Sequence, residues 1–266
     1  MSSALPFVPL AFERLTPDVS RARARAHYAH VDRRRTTRHF STDAVPRELI
    51  ELAIRSAGTA PSGAHQQPWT FVAVSDAALK QQMREAAETE ERAFYAGRAT
   101  PEWLEALAPL GTDEHKPHLT DAPWVVVLFR QSYGYFPDGQ KRTHFYAQES
   151  CGIAAGFFIS AIHDMGLVCL THTPSPMGFL GELLQRPTNE KAMLVMPVGY
   201  PAADAAVPSY SDSESSIIRW NMPVRFSTAL AVSRSPPGPG ASCNLRTASD
   251  TVHSAKIFLI EAASWV

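Results

Sequence analysis

Cysteine is scarce. Cys151, Cys169 and Cys243 are the only three in 266 residues, and they are far apart. No disulfide framework and no zinc spacing can be assembled from them, which implies a reducing compartment and no bound metal. Long apolar runs are missing as well, so no segment reads as a membrane span. Met1 to Pro9 has neither a basic stretch nor a small-residue cleavage site, so no signal peptide is read there. The expectation from these absences is a soluble cytoplasmic protein. Excess charge of one sign is also lacking. Lys and Arg number 25 against 26 Asp and Glu, a net charge of -1. That excludes a general nucleic-acid binder, because affinity for a phosphate backbone needs many uncompensated cations. No internal repeat is present.

What the chain does have is local and specific. Arg34-Arg35-Thr36-Thr37-Arg38 sets three guanidinium groups within five residues, and Ala60-Pro61-Ser62-Gly63-Ala64-His65-Gln66-Gln67-Pro68-Trp69 forms a polar turn where an apolar helix ends. Cations combined with free backbone donors make a cradle for a phosphate, and a flat turn can lie beside an aromatic ring. The pair points to a phosphorylated cofactor. At 45% hydrophobic, the chain can also bury a substantial core.

The element pattern is mixed. Residues 10–33 are an Arg-rich polar arm that reads as a solvated helix. Residues 47–57 form an amphipathic helix with Leu49, Ile50, Ala53, Ile54 and Ala57 on one face, opened by Pro46 and closed by Gly58. Trp69–Val74 reads as a strand, Asp76–Tyr95 as a charged helix with a narrow apolar stripe, and Ala122–Phe129 as a buried strand. His144–Met165 is apolar nearly all round, which requires an interior or interface position. Val168–Thr171 and Met193–Val198 are further short strands. This alternation fits an α+β layered fold better than a regular parallel barrel. Three regions follow: an arm over 1–33, a main domain over 34–208, and an atypical Ser/Pro-rich tail over 209–266. The tail has five serines between Ser209 and Ser216, and Lys256–Ala263 is its one regular signal.

Residues 34–201 resemble the nitroreductase-type flavoproteins, and among them the iodotyrosine deiodinase branch. The resemblance is carried by AGTAPSGAHQQPWTF, by Glu90-Glu91 followed by Tyr95, by Lys116, by Thr171-His172-Thr173-Pro174, and by the block from Arg186 to Pro201. The Pro-Ser-Gly turn alone specifies the superfamily. The distant Glu91, Tyr95 and Lys116 specify the branch. The resemblance implies a mixed central sheet flanked by helices and a homodimer with FMN in each of two clefts between subunits. It implies that Arg34, Arg35, Thr36, Thr37 and Arg38 contact the cofactor's phosphate and ring, with Pro61, Ser62 and Gly63 at the isoalloxazine edge. Thr171, His172 and Thr173 would lie across the ring, the Thr173 hydroxyl reaching N5 as the catalytic donor and favouring one-electron steps over hydride transfer. The Ala64 backbone would face a phenolate, while Glu91, Tyr95 and Lys116 would hold an amino-acid zwitterion under a lid.

Residue chemistry agrees with these roles. Glu91 can pair with an ammonium and Lys116 with a carboxylate, and the Tyr95 hydroxyl can serve either. Glu91 and Tyr95, four apart, share a helical face. Read singly, each residue has a plainer meaning: Glu91 as a solvated carboxylate, Thr171 and Thr173 as strand residues, His65 and His172 as structural hydrogen-bonders, the cysteines as small core or surface residues. The implied function is FMN-dependent reductive dehalogenation of halogenated tyrosine, with NAD(P)H or a reductase as electron donor. The alternatives are a generalist nitroreductase or quinone reductase, and a flavin-binding protein whose altered tail has impaired turnover. The tail carries no basic residue between Val207-Pro208 and Arg219, where the resemblance calls for a cation on the FMN phosphate.

Overall fold

Trp69, Phe71 and Ala73 alternate with Val72 and Val74 along one six-residue segment, and none of them meets solvent. A strand with apolar residues on both faces needs cover on both sides, and the molecule is built to supply it. The computed structural model describes residues 7–208 and the backbone of 256–260. Along the chain run α1 (Pro17–Val31), α2 (Arg47–Gly58), β1 (Trp69–Val74), α3 (Ala77–Ala93), α4 (Pro101–Leu107), α5 (His118–Asp121), β2 (Trp124–Gln131), β3 (Tyr133–Tyr135), β4 (Lys141–Thr143), α6 (Ala147–Asp164), β5 (Val168–Cys169), α7 (Gly178–Leu183), β6 (Glu190–Gly199) and β7 (Lys256–Ile260). The order β5-β6-β2-β1-β7 forms one mixed sheet. β1 runs antiparallel to β2 and parallel to β7, and β2 and β5 both run antiparallel to β6. β3 and β4 form a separate hairpin.

Each sheet face has its own core. Trp69, Phe71, Ala73, Trp124, Val126 and Leu128 pack with Ile50, Ile54 and Ala57 of α2 and with Cys151, Ala154, Phe158 and Ile162 of α6. On the opposite face Val72, Val74, Val125, Val127 and Phe129 meet Met83 and Ala87 of α3, Leu119 of α5 and Leu180 of α7. The two-residue alternation of β1 and β2 thus sorts their side chains between two helical layers. The mixed sheet between helices is the expected α+β architecture.

Two helices bear on the expectations. α1 is capped by the Thr16 hydroxyl, begins with Pro17 and buries no residue, as a solvated arm should. α6 buries only one face. Ile153 and Phe157 on its other face are 43% exposed, as are Phe145 (54%) and Tyr146 (73%) just before it. The apolar surround of this helix is therefore not covered by the other described residues. The tail's segment Lys256–Ala263 is represented by β7 on the free edge of β1. Cys243, Arg219 and the serine runs lie outside the described residues.

Three short contacts bring distant segments to one end of the sheet. A parallel bridge joins Thr36 to Cys169, so the arginine segment runs beside the strand that leads into Thr171. His172 and Val195 exchange backbone hydrogen bonds of 2.8 and 2.9 Å, which anchors Thr171–Thr173 against β6. The C-terminal end of α3 reaches the same place through the His172–Glu91 contact.

Phe158 is fully buried, with its ring 5.8 Å from that of Phe71 across the α6–β1 interface. Phe158→Ala should lower unfolding free energy by about 3–5 kcal/mol. Urea denaturation followed by far-UV circular dichroism measures it; a loss under about 1 kcal/mol would show that this core is not closely packed.

Candidate active site

α3 explains why a glutamate points inward. Asp76 caps the helix by accepting from Leu79 N at 2.7 Å. Lys80, Met83 and Ala87 form its buried stripe, and Glu91 is the next residue on that stripe, one turn beyond Ala87. The helix then opens into a single π turn over Phe94–Arg98, a widening common at functional sites. Thr100 caps the short α4, whose Trp103 lies against Phe94 with ring centroids 6.1 Å apart.

Beyond α4, residues 111–117 fold back on α3. Lys116 N donates to Glu88 Oε1 at 2.8 Å, and Glu88 also accepts from Arg84 Nε at 2.7 Å. Tyr95 donates its hydroxyl to the Thr112 carbonyl at 3.0 Å. These bonds bring the Lys116 side chain under the end of α3, where its Nζ is 3.2 Å from Glu91 Oε2 and 5.8 Å from the Tyr95 ring centroid. Lys116 is 3% exposed. His172 Nε2 holds the other carboxylate oxygen, Oε1, at 3.0 Å.

These residues line a cavity of about 510 Å³, together with Arg38, Thr171, Thr173, Arg98, Leu107 and Pro176. The structure therefore assembles Glu91, Tyr95, Lys116, Thr171, His172, Thr173 and Arg38 into one site. Arg38 makes no hydrogen bond or ion pair with a side chain or backbone group among the described residues, so the cavity wall offers an uncommitted cation.

The rest of the expected set sits nearby or elsewhere. Thr36 and Thr37 belong to the same strip; the Thr37 hydroxyl is engaged with His39. Arg34 is half-buried beside the Cys169 strand, while Arg35 is exposed and donates to the Asp32 and Arg34 carbonyls. Pro61, Ser62, Gly63 and Ala64 do not line the cavity. They pack against the start of α6. Gly63 N donates to Ser150 Oγ at 3.2 Å, and Ser62 Oγ accepts from Gln67 N at 2.9 Å. A Cβ on Gly63 would fall 2.2 Å from the Phe145 carbonyl oxygen, so only glycine fits. Ala64, His65 and Gln67 all have left-handed φ near 50°, strain that the surrounding hydrogen bonds must hold in place.

Electrostatics divide the site into charged and neutral groups. Burial acts to raise the Glu91 pKa, but the His172 hydrogen bond and the Lys116 charge outweigh it and hold the carboxyl below its ordinary range. Burial raises the Tyr95 phenol, and the Glu91 charge adds to the rise, so Tyr95 keeps its proton. Burial lowers His172 despite its bond to Glu91. Burial, then the proximity of His172, Lys116, Arg38 and Arg84, pushes His118 down to about 2. Its ring meets that of His172 edge-on, 5.2 Å between centroids. Cys151 is pushed up to about 12 and Cys169 to about 11 by burial, so neither supplies a nucleophile.

Phe94, Arg98, Trp103, Leu107 and the Glu91–His172 bond were not anticipated from sequence. The cap at Thr100 with Pro101 is the one local signal that could have flagged the helix over the cavity mouth.

With the geometry in hand, likeness to known proteins is decisive. Residues 31–200 match the Nitroreductase family. An iodotyrosine deiodinase from Haliscomenobacter hydrossis is 51% identical over 212 residues, 80% of this chain and 96% of its own length. The chain belongs to the nitroreductase family, in its iodotyrosine deiodinase branch. An iodotyrosine deiodinase from Danio rerio is 43% identical over 205 residues, 77% of this chain and 70% of its own length. A crystal structure of oxidized iodotyrosine deiodinase bound to FMN and 3-iodo-L-tyrosine superposes with a TM-score of 0.61 at 29% identity, covering 73% of this chain and 98% of that one. No helix among the described residues of this family member is long and apolar enough to cross a membrane.

The buried histidines predict an acid weakness. A histidine whose folded pKa lies below its unfolded value stabilises the fold fully above about pH 6.5, and that stability is lost as pH falls below it. His118 sits in that regime at about 2, and His172 is shifted the same way. Glu91, held low, adds stability above the ordinary Glu pKa and loses it only in stronger acid. Between pH 7 and 5 the histidines therefore dominate, and His118 alone should cost about 2 kcal/mol at pH 5. Urea midpoints across that range should fall, and His118→Gln should flatten the slope; an unchanged slope would contradict the neutral assignment.

Proposed function

We propose that this protein is an FMN-dependent reductive dehalogenase acting on halogenated tyrosine. The observation that carries the reading is the pairing of buried Glu91 with buried Lys116, 3.2 Å apart on one wall of a cavity that also holds Tyr95. A carboxylate and an ammonium in that arrangement complement the ammonium and carboxylate of a free amino acid. A generalist reductase of small aromatics has no use for such a pair.

The residues present fit a flavin mononucleotide. Arg38 brings an uncommitted guanidinium to the cavity wall, and Thr36 is bridged to the strand that leads into Thr171. In this reading Arg34, Arg35, Thr36, Thr37 and Arg38 hold the phosphate and ring, with Pro61, Ser62 and Gly63 at the ring edge. Thr171, His172 and Thr173 flank the ring, and Thr173 donates its hydroxyl to N5. The Ala64 backbone N–H faces the substrate phenolate. FMN, when bound, supplies the two electrons that with a proton convert an aryl carbon–halogen bond to carbon–hydrogen and halide.

The protein's own work is binding and exclusion. Glu91 takes the substrate ammonium, Lys116 the carboxylate, and Tyr95, kept protonated, donates to whichever oxygen reaches it. Phe94, Trp103 and Leu107 supply an apolar cover that keeps water from the ring cleft. The cavity wall lacks the Pro61–Ala64 turn, while the α6 surface beside that turn exposes Phe145, Tyr146, Ile153 and Phe157. Both facts support a homodimer in which each cleft is completed by the second copy's turn. Reducing equivalents would come from NAD(P)H or from a separate reductase.

Glu91→Gln should remove one charge-assisted hydrogen bond, worth about 1.5–3 kcal/mol. The affinity for 3-iodo-L-tyrosine, read from anaerobic flavin absorbance titrations, should fall by about one to two decades, with FMN affinity nearly unchanged. If iodotyrosine bound the variant as well as the wild type, the assignment would be abandoned.

A further inference from the structure

We propose that His172 is a positioning residue for amino-acid capture: its Nε2–H fixes Glu91 Oε1, so that Oε2 alone changes partner when a zwitterion enters. The inference rests on the reading of the cleft as an amino-acid site and names the device that orients its carboxylate.

The geometry divides the two oxygens of Glu91 between two elements. Oε1 lies 3.0 Å from His172 Nε2, and Oε2 lies 3.2 Å from Lys116 Nζ. The two partners differ in how firmly they are held. His172 is locked to β6 by its paired backbone bonds with Val195. Lys116 ends a flexible four-carbon stem, and its ammonium also touches the Thr112 hydroxyl and the Asp113 carbonyl. When a zwitterion binds, its carboxylate draws Lys116 away and its ammonium replaces Lys116 at Oε2. Oε1 needs no new partner, because the imidazole stays where it is. Without His172 the released carboxylate would rotate freely about its terminal torsion, which has broad minima.

Among the described residues, His172 is the side chain that donates to Glu91 Oε1. Arg98 is committed to Glu90, at 2.9 Å between side chains. Tyr95 donates to the Thr112 carbonyl. Arg38 faces the cavity without bonding Glu91. The tautomer follows from chemistry: an ionised carboxylate only accepts, so Nε2 carries the proton and Nδ1 is bare. Nδ1 is indeed buried without a partner among the described residues. The groups facing this imidazole are Glu91 from α3, Lys116 from the returning loop, His118 from α5 and Arg38 from the arginine strip. Burial, with the charges of Lys116 and Arg38, outweighs Glu91 and lowers the ring's pKa, so it orients Glu91 without competing as a cation for the ligand's carboxylate.

The test uses the full chain saturated with FMN and three substitutions: His172→Leu removes the donor, His172→Gln returns an N–H at the depth of Nε2, and His172→Asn is too short to reach. The probes are 3-iodo-L-tyrosine and 2-iodophenol, which shares the ring and lacks the zwitterion. His172→Leu and His172→Asn should weaken iodotyrosine binding about tenfold or more, the scale of one hydrogen bond to a charged group. His172→Gln should recover most of that loss, and the ratio of iodotyrosine to 2-iodophenol affinity should fall about tenfold in His172→Leu and His172→Asn and return in His172→Gln. The acid limb of iodotyrosine binding should move to higher pH in His172→Leu, because Glu91 loses its donor. Equal weakening of both probes, or an unmoved acid limb with unchanged affinity, overturns the inference and leaves the functional reading intact. A wild-type protein that takes up FMN but not iodotyrosine overturns both. Should the variants fail to fold, ¹⁵N NMR of the wild-type ring decides: a proton on Nε2 alone, before and after iodotyrosine is added, supports the inference, and a proton on Nδ1 overturns it.

Discussion

A single buried carboxylate organises this site. Glu91 draws one partner from the returning loop and one from the strip beside β6, so three segments far apart in sequence meet at its two oxygens. Each partner is needed for the other. Without Lys116 and His172, burial would favour the neutral acid; with them the charge is kept. The glutamate's placement follows from helix geometry. The buried stripe of α3 runs Lys80, Met83, Ala87 and continues to Glu91, so the packing that secures the helix on the sheet also aims the carboxylate into the cavity.

Much of this was legible in the sequence, for identifiable reasons. β1 matched its expected range because apolar and β-branched residues bounded by Pro68 and Ser75 leave little else to form. α2 matched to within a residue because its apolar face and Pro46 agree; Gly58, expected just past its end, is its last helical residue, and Thr59 caps it. The central sheet was legible wherever a strand was buried on both faces. What could not be read were the β3–β4 hairpin and the short helices α4, α5 and α7, each too brief for periodicity to speak. In the site, Glu91, Tyr95 and Lys116 were found as an ordered set, but the His172–Glu91 bond was not. The bond spans 81 positions, and no local pattern encodes a contact of that range. His172 had looked like a structural hydrogen-bonder, and its partner turns out to be a residue expected to bind ligand.

The Pro61–Ala64 turn shows the opposite relation between legibility and place. Its composition was the plainest signal in the chain, yet it lies away from the cavity of its own chain. Left-handed Ala64, with left-handed His65 and Gln67 just after it, and the close approach of Gly63 to the Phe145 carbonyl fix its shape. Such a conformation is costly and persists only where surrounding contacts over-determine it. Here the Ser150 hydroxyl and the Gln66 amide, which bonds both Thr143 O and Phe145 N, tie it to the start of α6. The turn is therefore rigid and sits beside exposed aromatic surface. In the proposed homodimer, such a rigid turn, beside a helix face that the other described residues leave exposed, would complete a neighbour's cleft.

The Glu91–Lys116 pair is a poor choice if stability alone is the criterion. Desolvating two charges can cost more than their attraction returns, and an apolar pair of similar volume is often as stable or more so. The arrangement makes sense as a pair meant to be separated. In the free protein each charge neutralises the other, so neither is left bare in a buried wall. A zwitterion offers each a replacement of the same sign and chemistry as the one it gives up. In the proposed reading, capture is an exchange of ion pairs, with little net change in the number of satisfied charges. A ligand with only one of the two groups would leave its opposite number unpaired in the wall, where a lone charge is most costly. In the proposed reading, discrimination against an amine or a carboxylic acid thus follows from the penalty on incomplete exchange, with His172 holding Glu91 in place while the exchange occurs.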